Sequence, residues 1–251
     1  MRLEEIGIQL RPRSASEALD LGRVMMQAWY GGAWRAWSVT YLAIGLPLAL
    51  MLWHYELLAI PLIWWLKPFC DRALLFAYSR SLFGESISRR DVWRALPGLL
   101  KNTGLFSALT YRRFGLRRAF LLPVWQLEGQ RGKAARQRSR VLSSRVDNLS
   151  VGLTVFSLAI SFFLALSLLL LIDMFVPQGH QDIVRMDDWL DGNITSAGAF
   201  ILNLAIMTAE SIVEPFYVAS GFALYLNRRS ELEGWDIEQA FRKMSVRKAA
   251  Q

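Results

Sequence analysis

Residues 151–172 read VGLTVFSLAISFFLALSLLLLI, 22 consecutive positions without a charge. As a helix this stretch is about 33 Å long at ~1.5 Å per residue, enough to cross the hydrocarbon core of a bilayer. Asp173 and Pro177 mark its exit. The rest of the chain has the same character. It is 53% hydrophobic, and its apolar residues are gathered into blocks with the charges between them. That segregation is a membrane signature, because hydrocarbon cannot solvate a charge cheaply.

Toward the carboxy terminus, residues 194–226 form a second apolar block, interrupted by Glu210, Glu214 and Pro215. Proline inside a helix removes a backbone bond, so one long kinked helix is expected, ending at Asn227-Arg228-Arg229. Toward the amino terminus, residues 37–53 are mostly apolar, His54-Tyr55-Glu56 follow, and residues 57–66 are apolar again before Lys67-Pro68. This pattern fits a hairpin whose second span runs to about Tyr78, or a single helix over 38–66. Charge separates the two. Residues 1–37, 67–147 and 227–251 together hold 28 of the 29 Lys and Arg, and only Arg185 falls outside them. The hairpin puts all 28 on one side, opposite Glu56, Asp173, Asp182, Asp187, Asp188 and Asp191. The positive-inside rule therefore prefers the hairpin, with both termini cytoplasmic.

The expected architecture is all-α: a polytopic membrane protein with about four transmembrane helices and amphipathic cytoplasmic helices. Residues 1–36 form an interfacial amphipathic segment and 37–78 the hairpin. Residues 79–147 make a basic cytoplasmic region. Residues 148–226 supply two spans around an outer loop at 177–193, and 227–251 a cytoplasmic helix. The first 36 residues carry charges throughout, so no cleavable signal peptide is expected. Ser14-Ala-Ser-Glu17 fits a capping box, and Ala18, Leu21, Met25, Trp29 and Ala33 then recur at helical spacing. That stripe suits the inner membrane surface, or packing on the other cytoplasmic segments. Ser88-Arg-Arg-Asp91 starts another helix, with Val92, Leu96 and Leu99 on one face. Patches at 104–109 and 119–127 are too short to cross a bilayer.

Glu210 and Glu214 are four residues apart and share one helix face inside an apolar block, where ionisable groups need partners. Lys67 and Arg72 are the natural partners, with Asp71 beside them and Asn203, Thr208 and Ser211 nearby. Such a cluster either locks the bundle or lines a polar cavity for an ion, a proton or a lipid headgroup. Arg131, Lys133, Arg136, Arg138, Arg140 and Arg145 follow one another without an intervening acid. They are expected to contact anionic lipid, each for roughly 1 kcal/mol, or to act only as a topology signal. No nucleic-acid reader motif accompanies them.

Catalytic signatures are missing. His54 and His180 fall in outer loops near Glu56 and Asp182, without metal-site spacing, and no metal or cofactor is expected. The lone Cys70 reads as a small buried hydrophobe. No nucleophile elbow, P-loop or dinucleotide glycine pattern is present.

Several longer phrases resemble a family of uncharacterised bacterial inner-membrane proteins. They are Trp65-Leu-Lys-Pro68 with Asp71-Arg72, Phe120-Leu-Leu-Pro-Val-Trp-Gln-Leu-Glu-Gly129, Glu214-Pro-Phe-Tyr-Val-Ala-Ser-Gly-Phe-Ala-Leu-Tyr-Leu-Asn-Arg-Arg229 and Glu231-Leu-Glu-Gly-Trp-Asp-Ile-Glu238. Such proteins resemble members of gene clusters with a MoxR-type AAA+ ATPase, a von Willebrand A-like protein and a transglutaminase-like membrane protein. The segment before the first span is distantly similar to membrane domains attached to glycerophosphodiester phosphodiesterases, whose catalytic domain has no counterpart here. The resemblance implies a non-enzymatic accessory or scaffold subunit of an envelope-associated assembly; the expected partners are an anionic lipid bilayer and other membrane proteins or an AAA+ ATPase-containing assembly. The alternative is a small transporter or lipid-handling protein built on the Glu/Lys/Arg cluster.

Overall fold

Ten α-helices and three short non-α turns account for the regular structure among the described residues, and no strand occurs there. The computed structural model describes residues 13–101, 104–175 and 195–234. The expected outer loop at 177–193, with His180, Asp182 and Arg185, lies outside these residues, as do residues 1–12 and 235–251 of the two termini.

Helix α1 (Ala15–Ala28) starts where Ser14 Oγ accepts the Glu17 amide at 3.3 Å. Ala18 and Met25 are buried against the long last helix, and Gly22 lies so close that a Cβ there would sit 2.5 Å from Ser220 Cα. A glycine at the crossing admits a neighbouring backbone that any larger residue would hold off.

Helix α2 (Tyr30–Trp37) continues through a π-helical turn (Ser38–Leu42) into α3 (Ala43–Met51). The chain reverses at a 3₁₀ turn (Trp53–Tyr55) and returns as α4 (Glu56–Ser81). The hairpin is antiparallel: Gly32 lies beside Ser81 and Gly45 beside Ile63. Residues 38–66 are thus two helical segments and a turn, not one long helix. Helix α4 passes Lys67, Pro68, Asp71 and Arg72 without a break. Pro68 has no amide to bond the Trp64 carbonyl, and Arg113 Nη2 donates to that carbonyl instead.

Four short helices form a cap. In α5 (Arg89–Leu100) Ser88 and Asp91 complete a capping box, and Val92, Leu96 and Leu99 are buried as their spacing requires. Then come α6 (Leu105–Leu109), a 3₁₀ turn (Tyr111–Phe114), α7 (Arg118–Gln126) and α8 (Gly132–Ser143). Helix α9 (Asp147–Phe175) contains the 22-residue apolar stretch, and α10 (Ser196–Glu233) begins behind a Thr195 cap.

Helix α10 runs beyond its expected end at Arg229. Arg229 pairs with Glu233 one turn on, at 2.8 Å, and the helix stops only at Gly234, which takes φ 61°. Residues 217–228 are all buried, wrapped by α1, α4, α7 and α9. At Gly221 the contact is backbone to backbone, because a Cβ would lie 2.6 Å from the Ala119 carbonyl carbon.

Among the described helices, α9 and α10 alone are long and apolar enough to cross a membrane. They differ in burial. Beyond Thr154, α9 leaves large apolar side chains uncovered, with Phe162 and Phe163 each 63% exposed and Phe175 73%.

Candidate functional site

Lys67 and Asp71 share one face of α4, as Glu210 and Glu214 share one face of α10. The two faces meet. Lys67 Nζ lies 2.9 Å from Glu210 Oε1 and 2.6 Å from Glu214 Oε2, and the lysine is 2% exposed. Asp71, one turn along, neighbours Glu214, and its Oδ1 is buried without a hydrogen-bond partner. From the hairpin's first arm, the Tyr41 hydroxyl donates to Glu210 Oε2. Tyr41 is stacked on Trp37 at 4.2 Å, and Trp37 Nε1 donates to Ser211 Oγ at 2.9 Å. One lysine therefore ties α4 to α10, while Tyr41 and Trp37 tie the first arm of the hairpin to the same turn of α10.

Arg72 feels the charge of the neighbouring Asp71. One residue past Asp71, it is turned about 100° round the helix, and its Nη1 donates to the Pro68 carbonyl at 2.5 Å. A second cation that reaches the cluster is Arg118, the first residue of α7, whose Nη2 lies 3.8 Å from Glu214 Oε1. Tyr217 anchors the same corner: its hydroxyl accepts the Ala119 amide at 3.3 Å and lies 2.9 Å from Thr154 Oγ1 on α9.

Beside the cluster is a cavity of about 270 Å³. Its wall includes Arg72, Arg112, Arg113, Arg117 and Arg118, with Asp71 the one acid among the lining residues. The Arg113 guanidinium lies 3.6 Å from the centre of the Trp64 ring, and that of Arg112 lies 3.6 Å from Trp125. Burial and the nearby Arg118 charge lower Arg113 to about 10.

No family model matches the chain, and neither the curated proteins nor the solved structures contain a detectable relative.

The expected lipid-contact run divides in two. Arg138 is committed to the fold, at 2.8 Å from Glu128 and 2.6 Å from Glu233. Arg131 donates to the Trp125 and Gln130 carbonyls, both at 2.7 Å. Lys133, Arg136, Arg140 and Arg145 are exposed, and Arg136 and Arg140 line a groove that shares Arg112 and Arg117 with the cavity. Ser211 and Asn203 are at least partly covered, whereas Thr208 is exposed and bonds its own helix. Cys70 is buried. No group of three or more potential metal ligands occurs among the described residues.

The sequence reading missed Tyr41, Arg113 and Arg118. Arg112-Arg113 and Arg117-Arg118 are two basic doublets five residues apart, bracketing Phe114, Gly115 and Leu116. That pattern was the available signal, but a cavity needs the fold to close it.

Proposed function

We propose that this chain is a four-span inner-membrane protein with both termini cytoplasmic, acting without catalysis as an accessory or scaffold subunit of an envelope assembly. In this reading the hairpin, α9 and α10 enter the bilayer, and α1 with α5–α8 caps them from the cytoplasm. The observation that carries it is the contrast between a bare apolar belt and a paired ionic centre. Leu50, Met51, Leu57, Leu58 and the phenylalanines of α9 are exposed, while Lys67 is fully engaged by Glu210 and Glu214. In water such a belt would be unstable; in lipid it is the required outer surface. The ionic centre then locks the hairpin to α10.

Register supports the depth. Thr154 on α9 meets Tyr217 on α10, and the exposed apolar run of α9 begins at Val155. Glu214 is three residues, about 4.5 Å, to the outer side of Tyr217. The cluster therefore lies near the inner boundary of the hydrocarbon. The resemblance to proteins of AAA+ ATPase gene clusters supports the subunit role, and the exposed cations of 131–145 suit an anionic inner leaflet.

Two experiments test this reading. His54 is exposed and Cys70 buried, so His54→Cys supplies one accessible thiol. It should react with a membrane-impermeant maleimide added outside; protection there refutes the hairpin topology. Affinity purification in mild detergent should recover constant companions, and repeated recovery of the protein alone would overturn the subunit role.

A further inference from the structure

We propose that the arginine-walled cavity binds a phosphate group, either free or carried on the headgroup of an anionic phospholipid of the inner leaflet. The wall is built for a tetrahedral oxyanion. The guanidinium carbons of Arg112 and Arg113 each lie 3.6 Å from the centre of an indole ring, which holds both side chains at the wall. Arg113 is 2% exposed, and although Nη2 bonds the Trp64 carbonyl, its Nε and Nη1 have no hydrogen-bond partner. Arg118 Nε is a third buried donor without one. Buried charged donors left unmade are costly, and three of them on two cavity-lining arginines call for an acceptor. Asp71 Oδ1, also buried without a partner on this wall, is a single acceptor against the three orphaned donors.

Space and position agree with this ligand. About 270 Å³ admits a phosphate group with bridging waters. Arg118 lies over the Tyr217 ring, 5.2 Å from its centre, which puts the cavity at the level where the apolar surface of α9 begins. Phe114 shares a turn with Arg112 and Arg113 and is 69% exposed. An uncovered phenylalanine beside an arginine pocket matches a lipid, with acyl chain outside and phosphate within. The neighbouring groove adds Arg136 and Arg140 to the local positive field.

The lipid arm of the proposal rests on the membrane placement above; the phosphate arm does not. Purified full-length protein is melted in sodium phosphate and in sodium chloride of equal ionic strength. In parallel it is reconstituted in phosphatidylcholine vesicles with and without phosphatidylglycerol, extracted, and its retained lipid counted by native mass spectrometry. Retention of phosphatidylglycerol without a response to phosphate identifies the headgroup source. Stabilisation by phosphate, with or without lipid retention, identifies a site open to the free ion. Either effect should fall about tenfold in Arg113→Gln, the equivalent of one charge-assisted hydrogen bond. Arg90→Gln, an exposed cation of α5 outside the cavity wall, should change neither. If Arg113→Gln does not accumulate, Arg117→Gln, half-exposed on the same wall, gives the reading. Absence of both responses in the native protein, or an equal loss in Arg90→Gln, overturns the proposal.

Discussion

The ionic cluster and the arginine cavity share a wall, since Asp71 and Arg118 belong to both, yet they handle buried charge in opposite ways. In the cluster the cation is answered from within the chain: Lys67 meets Glu210 and Glu214, and Tyr41 fills the remaining oxygen of Glu210, while Asp71 Oδ1 adds an unmatched acceptor beside Glu214 Oε1. In the cavity, cations outnumber the single acid, and buried guanidinium donors of Arg113 and Arg118 have no acceptor. A closed set of charges serves to hold helices together. An open set of one sign is a place for something else to bind. The two regions should therefore respond to substitution in different ways.

The largest effect belongs to Lys67. Lys67→Met leaves Glu210 and Glu214 buried on one helix face without their shared cation, and removing one partner of a buried pair costs about 3–5 kcal/mol. Little folded protein should accumulate in membranes. Adding Glu210→Gln and Glu214→Gln to the same chain should restore much of the yield, because an uncharged set no longer needs the lysine. If the single variant accumulates normally and melts unchanged in detergent, the cluster is not a lock.

Tyr41 refines the same side of the comparison. Its hydroxyl is the cluster's link to the first arm of the hairpin, so Tyr41→Phe should destabilise by about 1 kcal/mol, the net value of one such hydrogen bond. Arg113→Gln breaks the comparison from the other side. It surrenders a ring contact and a bond to the Trp64 carbonyl but relieves an unmatched buried charge. Its melting temperature without ligand should move less than that of Tyr41→Phe, and the effect should be confined to binding. A fall as deep as that of Lys67→Met would make Arg113 another structural tie.

The same contrast explains what was legible in the sequence. Glu210 and Glu214 stand out because they interrupt an apolar block at helical spacing, and Lys67 because it closes another. Periodicity and local charge carry that information. The helix starts at Ser14 and Ser88 were equally legible, because capping is a matter of three neighbouring residues. Arg72 shows the limit: its charge fits a partner of Glu214, but a step of about 100° from Asp71 sends it to the Pro68 carbonyl. Arg118 was hidden for the converse reason, since nothing local says that the start of α7 crosses α10 at Gly221 and so reaches Glu214. The end of α10 was misplaced because Arg228-Arg229 reads as a boundary, whereas the Arg229–Glu233 pair carries the helix to Gly234.

The smallest effect belongs to the Glu128–Arg138 pair just past α7, where the same chemistry should titrate. Burial would raise Glu128, but hydrogen bonds from Arg138 and Tyr225 outweigh it and hold the carboxyl below its ordinary 4.5. Through Arg138 this carboxylate joins α7 and α8 to Glu233 near the end of α10. A depressed carboxyl contributes stability that is complete above its unfolded value and is lost as pH falls through the folded one. Hydrogen-exchange protection of α8 should therefore be constant from pH 7 to about 5 and decline below about 4.5. With solvent screening the loss should be no more than about 1 kcal/mol. Glu128→Gln should remove the decline and lower protection at neutral pH to the acid level. A decline that persists in Glu128→Gln would assign it to another carboxylate, and the Glu128–Arg138 pair would then contribute nothing measurable to the packing of α8.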